Sequence, residues 1–362
     1  MKLSRRSFLK GAVGAVTVAA GGSVLLTGFG PQEQPDAATE ATPPGNNSWE
    51  PAYLRLERSG ELAERVEQAY ARLEHCDLCP RKCGVNRLKG ERGLCRAPEK
   101  VVVYSAQPHF GEERPLVGRN GSGTIFFSNC NLRCVFCQNW PIAHEGRGRE
   151  IDDEELAETM LRIERRGCPN INLVTPTHIM PHILNATRIA ARKGMRTPLC
   201  YNTGGYERAE VVRMLDGIVD IYLPDLKFMD AARGEKYLGG APDYPENAKA
   251  AILEMHRQVG VLETDSAGVA RRGVMIRHLV MPNHVSDPLE FVDWVAANLP
   301  KSTYVNIMSQ YRVEHEAFNY PDISRSITSE EFVSAIEHAK EVGLTNLDDR
   351  SLSNYESHRR RM

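Results

Sequence analysis

Two hydrophobic periods share this chain, and from residue 123 onward they alternate. Residues 50–73 carry Leu54, Leu56, Leu62, Val66 and Tyr70 among charges, the pattern of an amphipathic helix. A turn-rich stretch follows, "CDLCPRKCGVNRLKGERGLC", residues 76–95. Then come apolar runs short enough to be strands, at 123–130, 170–178, 197–205, 217–228, 273–284 and 302–312. Amphipathic helical stretches lie between and after them, the clearest at 151–167, 181–194, 246–260, 288–299 and 329–343. The first opens on acidic residues, where a helix dipole favours them; the second has Pro at its start and Gly at its end.

Six strand–helix repeats predict an α/β fold whose parallel sheet is covered on its outer side. The choice lies between a doubly wound open sheet and a barrel. In either, ligands gather at the carboxyl ends of the strands. Polar residues stand at those ends on several strands: Cys130, then Thr175, Thr177 and His178, then Asn202 and Thr203, then Asp225 and Lys227, then Asn283 and His284. Convergence from many strands favours a partial (β/α)6 TIM-type barrel with one shared mouth and an N-terminal cysteine-rich extension. The organisation expected is a signal at 1–30, a linker at 31–48, a helix and cysteine-rich segment at 49–122, the barrel at 123–346 and a tail at 347–362.

Composition narrows the function. The chain has 362 residues, 41% hydrophobic and 25% charged, with a formal net charge of −2, so a nucleic-acid-binding domain is not expected. Its one basic run, "HRRRM" at 358–362, reads as a solvated, frayed end. At the other end "SRRSFLK" precedes the apolar run 11–30, the layout of a twin-arginine signal, either cleaved on export or kept as an inner-membrane anchor with activity facing the cytoplasm. No second stretch of spanning length follows, so the body is expected to be soluble. Residues 31–48, "PQEQPDAATEATPPGNNS", hold too few large apolar groups to fold.

Nine cysteines change the picture most. "CNLRCVFC" places Cys130, Cys134 and Cys137 within eight residues, where the first strand ends. Thiolates clustered in short runs hold iron–sulfur clusters. Three sulfurs can bind three irons of a cubane and leave the fourth open, as a catalytic zinc keeps a position open and a structural one does not. Upstream, Cys76, Cys79, Cys83 and Cys95 form a set of four, enough for a closed site: a second [4Fe–4S] cluster, a structural zinc, or disulfides in an exported chain. Cys168 and Cys200 read as small buried hydrophobes.

The C-x3-C-x2-C spacing, with Phe136 before the last cysteine, resembles the radical S-adenosylmethionine superfamily. That resemblance implies a [4Fe–4S] cluster on Cys130, Cys134 and Cys137 whose open iron chelates S-adenosylmethionine, and a 5′-deoxyadenosyl radical that takes a hydrogen atom from the substrate. More narrowly, "LPDLKF", "YNTGG" and "LVMPNH" resemble segments of the pyruvate formate-lyase activating enzymes and their relatives. This implies cofactor contacts from Phe136, Asn202, Asp225 and Lys227. Where those enzymes carry Gly-Gly-Glu, this chain has "TPTH", so Thr175, Thr177 and His178 are candidates for the methionine amine, His178 alternatively a plain helix-start residue. The resemblance also implies a low-potential electron donor such as a flavodoxin or ferredoxin, with a partner protein or a small molecule as substrate. In similar chains the upstream cysteines would relay electrons or shield the active cluster. No glycyl-radical motif of the Arg-Val-x-Gly-Tyr kind occurs, so this chain would make such a radical and not store it. Two rival readings are a non-catalytic iron–sulfur electron carrier and a zinc-binding interaction protein.

Overall fold

In the computed structural model, residues 49–362 are described; the expected signal and linker, 1–48, lie outside them. Residues Trp49–Met362 form one compact unit.

Among the described residues one sheet holds nine strands: β1 (Val101–His109), β2 (Ser122–Phe127), β3 (Arg149–Ile151), β4 (Ile171–Val174), β5 (Leu199–Thr203), β6 (Ile221–Pro224), β7 (Glu263–Thr264), β8 (Ala270–Leu279) and β9 (Tyr304–Met308). β2, β4, β5, β6, β8 and β9 pair in that order, all parallel. These are the six strands that the apolar runs predict. β5 and β6 are buried along their whole length, as a strand covered on both faces must be. Helices Asp153–Arg165, Met180–Arg192, Ala209–Val212, Tyr244–Val259, Pro288–Asn298 and Ser329–Glu341 make the crossovers and the closing layer. The partial α/β barrel expected from the sequence is the architecture found.

Local chemistry explains the helix limits. Asp152 accepts from the Glu155 N–H at 2.9 Å and starts the first crossover helix, so Ile151 belongs to β3 and not to the helix. Thr328 and Glu331 close a reciprocal capping box on the closing helix, Ser329–Glu341.

Three features differ from the expectation. The 50–73 helix is two helices, Tyr53–Ser59 and Glu61–Ala71, because Gly60 turns left-handed (φ 88°) between them. β1 and β3 extend the sheet antiparallel beyond β2, and β7 pairs antiparallel with β8. Their half-exposed pattern is weak in sequence; β1 has seven of nine residues partly or fully exposed. The expected tail contains a helix, Asp349–Arg359. Asp348 caps it by accepting from Arg350 N at 2.8 Å, and Ser351 Oγ donates to Ile307 O of β9 at 2.8 Å, so only its end is free. Among the described residues no helix is long and apolar enough to cross a membrane.

Candidate functional site

The carboxyl ends of the parallel strands build one mouth. β2 ends at Phe127, and Asn129 turns left-handed (φ 73°), a conformation its short amide tolerates, to launch residues 130–137. The loop is fastened at several points. Asn131 is buried and donates to Tyr206 O at 2.6 Å. Val135 N–H reaches Tyr237 O at 3.0 Å, and Glu316 N–H reaches Val135 O at 2.8 Å. The Leu132 N–H donates to Cys130 Sγ at 3.4 Å, and Cys137 N–H closes a turn on Cys134 O at 3.2 Å. Cys134 is buried, Cys130 and Cys137 partly so, and all three are free thiols. Burial pushes the Cys130 thiol up to about 12 and raises Cys134 and Cys137 too; the Lys227 ammonium opposes it at each.

Opposite stands the end of β6. Lys227 Nζ donates to the Asp225 carboxylate, both side chains about one-fifth exposed (20% and 21%). Burial alone would lower the lysine; the Asp225 charge outweighs it and holds the ammonium above its ordinary range. Tyr244 Oη accepts from the Lys227 N–H at 2.9 Å and donates toward the carbonyls of Gly204, at 2.9 Å, and Asp225, at 3.0 Å. Glycines make this closeness possible. A Cβ on Gly205 (φ 83°) would stand 2.0 Å from Asp225 O. One on Gly204 would stand 3.1 Å from Leu132 Cδ1 and 3.7 Å from Lys227 Cε, so the cysteine loop and the lysine flank the same backbone.

Two buried networks underlie the mouth, and sequence reasoning missed both. Glu207 is fully buried, and its Oε1 accepts from Thr177 and Thr203; Oε2 has no partner. Burial lifts its carboxyl to about 7, against the pull of the two threonines. Arg277 of β8 donates to Glu112 and, at 2.6 Å, to Glu113; its Nη1 also donates to Asn202 Oδ1 at 3.3 Å. Glu207 follows "TGGY" directly, a Gly-Gly-x-Glu run that was the available signal; nothing local marks Glu112 and Glu113, which lie 164 residues or more from their partner.

The structure thus gathers Cys130, Cys134, Cys137, Asp225 and Lys227, and disperses other candidates. Phe136 packs behind the loop, edge-on to Phe228 at 6.0 Å. Thr175, just past β4, is half-buried, whereas the Thr177 hydroxyl is taken up by Glu207 and Asn202 by Arg277. Asn283 and His284 are exposed; Asn283 donates to Asp322 O at 2.7 Å and accepts from Arg325 at 2.8 Å. His178 turns away from the mouth toward the upstream cysteines. Those four, Cys76, Cys79, Cys83 and Cys95, line one cavity of about 360 Å³, part of it open, together with Arg87 and His178. Arg81, between them in sequence, donates to Asn131 O at 3.1 Å and ties the two cysteine loops together.

Relatives place this arrangement. The uncharacterized protein MJ0674 of Methanocaldococcus jannaschii is 34% identical over 296 residues, 79% of this chain and 80% of that one. The uncharacterized protein MJ0808 of the same organism is 26% identical over 273 residues, 68% and 73% of the two chains. The family model of the radical SAM superfamily matches residues 124–295, from β2 to the helix after β8. The chain belongs to the radical SAM superfamily. Solved structures similar to it include TYW1 with a lysine-pyruvate adduct (13% identity, 60% of this chain and 73% of that one, TM-score 0.38) and the maturase HydG of Carboxydothermus hydrogenoformans (10%, 81% and 66%, TM-score 0.41).

Membership in the radical SAM superfamily implies a [4Fe–4S] cluster and S-adenosylmethionine, and the donor set fits them. Three free thiols on one fastened loop are costly to ionise where they lie, and metal coordination is what makes a buried thiolate favourable. The ammonium of Lys227 supplies a cation for a carboxylate at the same mouth. A radical SAM enzyme needs little more from its protein than this seat, an oriented substrate and the exclusion of water.

Proposed function

We propose that this radical SAM enzyme is of the activating-enzyme-like kind, abstracting hydrogen from a partner, with a protein glycine as the leading substrate class and a small molecule or peptide as the other. One observation carries the reading: the trio Cys130, Cys134 and Cys137 shares its mouth with the Asp225–Lys227 pair of "LPDLKF". When bound, the cluster supplies the electron that cleaves S-adenosylmethionine and yields the hydrogen-abstracting 5′-deoxyadenosyl radical. The chain's residues do the rest. The three sulfurs seat three irons. Lys227 holds the methionine carboxylate as a point charge, oriented by Asp225 and Tyr244. Phe136, Phe228 and Tyr311 close the loop's rear against water. A reduced flavodoxin or ferredoxin is the expected electron source.

The test supplies S-adenosylmethionine, a reductant (dithionite, or a reduced flavodoxin or ferredoxin) and a candidate partner protein labelled with deuterated glycine. Deuterium recovered in 5′-deoxyadenosine, with a carbon radical in the partner's paramagnetic resonance spectrum, supports the activating role. Deoxyadenosine formed without label from any protein, and with label from a small molecule, rejects it in favour of the second substrate class.

A further inference from the structure

The cavity of the four upstream cysteines contains a charge that nothing in the fold neutralises. Arg87 is 1% exposed. Its Nη1 donates to His178 O and its Nη2 to Pro98 O at 2.9 Å, both neutral carbonyls, and its Nε has no partner. Among the described residues no carboxylate pairs with it. A guanidinium buried without an anion is strongly unfavourable. Beside it on the same wall, His178 is 2% exposed; its Nε2 is 2.9 Å from Ser128 O and donates to it, leaving Nδ1 with its lone pair and no partner. Two buried side chains with unsatisfied nitrogens therefore line a space ringed by four free thiols.

The missing component must be anionic, and the cysteines can make it so. Two disulfides would be neutral and leave Arg87 as it is. Four thiolates around either a zinc ion or a [4Fe–4S] core of charge +2 give a net −2, which the guanidinium complements. Location separates these two. Arg81, between Cys79 and Cys83, donates to Asn131 O of the mouth loop at 3.1 Å, so the two cysteine loops are joined. A zinc ion has no redox chemistry to offer beside that loop, whereas an iron–sulfur cluster does.

We propose that Cys76, Cys79, Cys83 and Cys95 hold a second [4Fe–4S] cluster, with all four irons ligated by protein, and that Arg87 is its buried counter-charge. This cluster is independent of the reaction at the mouth and exists whether or not that reaction is the one proposed above.

The experiment replaces Cys130, Cys134 and Cys137 together by alanine in the full chain, prepared anaerobically, and measures iron, sulfide, zinc and absorbance. About four irons and four sulfides per chain, with the broad brown absorbance of a cubane, are expected to remain. Loss of all iron, or zinc in its place at one per chain, overturns the proposal. Arg87→Gln in the same background is the second arm. Iron is expected to stay while the cluster's reduction potential falls, because a nearby positive charge favours the reduced form. An unchanged potential with intact iron would remove Arg87 from the proposal. Because the variant lacks the mouth cysteines, a negative result here leaves the mouth reaction untouched, and the reverse.

Discussion

Lys227→Met removes the cation that this account assigns to the S-adenosylmethionine carboxylate. Its magnitude follows from the setting. The Lys227 side chain is 20% exposed, so the contact forms in a largely water-excluded mouth, where a hydrogen bond to a charged group contributes about 1.5–3 kcal/mol. At about 1.4 kcal/mol per decade, the dissociation constant for S-adenosylmethionine should rise about ten- to 150-fold. Asp225, left unpaired, is 21% exposed and can take water, so the fold and the iron content should survive. The assay is equilibrium binding of labelled S-adenosylmethionine to anaerobic protein of matched iron content, with Lys227→Arg beside it. The arginine keeps the charge but not the compact shape, and should fall between the two. Binding within twofold of the unsubstituted protein, at equal iron, would refute the assignment of Lys227.

Gly205→Ala should be worse for the mouth than for the fold at large. Its Cβ would lie 2.0 Å from Asp225 O at a φ of 83°, so the Asp225–Lys227 segment must move; we expect a stability loss of about 2 kcal/mol or more and weaker S-adenosylmethionine binding, measured by urea denaturation and the same binding assay. Glu207→Gln tests the buried carboxyl through pH. The folded chain keeps the Glu207 proton to about pH 7 where the unfolded chain releases it near 4.5, so its contribution is present at low pH and lost as pH rises through that window. Gln cannot ionise, and the stability of the variant relative to the parent should therefore rise between pH 4.5 and 7 by about 3 kcal/mol; a difference independent of pH would contradict it.

Much of this was legible in the chain, for physical reasons. Strands buried on both faces print as continuous apolar runs, which is why β2, β4, β5, β6, β8 and β9 could be read off directly. Cysteine spacing is local, so both cysteine loops were visible. β1 was not, because a half-exposed strand has too little apolar contrast, and the 349–359 helix was not, because of its long face only Ser351 and Tyr355 are buried. Side-chain partners were least legible. Thr177 looked like a mouth residue until Glu207 took its hydroxyl, and the Arg277 network joins segments that only the fold brings together. His178 illustrates the same limit: it lies past β4 in the short 3-10 turn Thr177–Ile179 that leads into the next helix, as the helix-start alternative had it, and its ring lines the neighbouring cavity.

The account rests on the trio of sulfurs at the end of β2. The most direct measurement is 5′-deoxyadenosine released from S-adenosylmethionine under dithionite, by the anaerobic protein and by Cys134→Ala. Release by the first and none above background by the second is the result predicted. Equal release by both, or none from protein that carries its full iron, would contradict it.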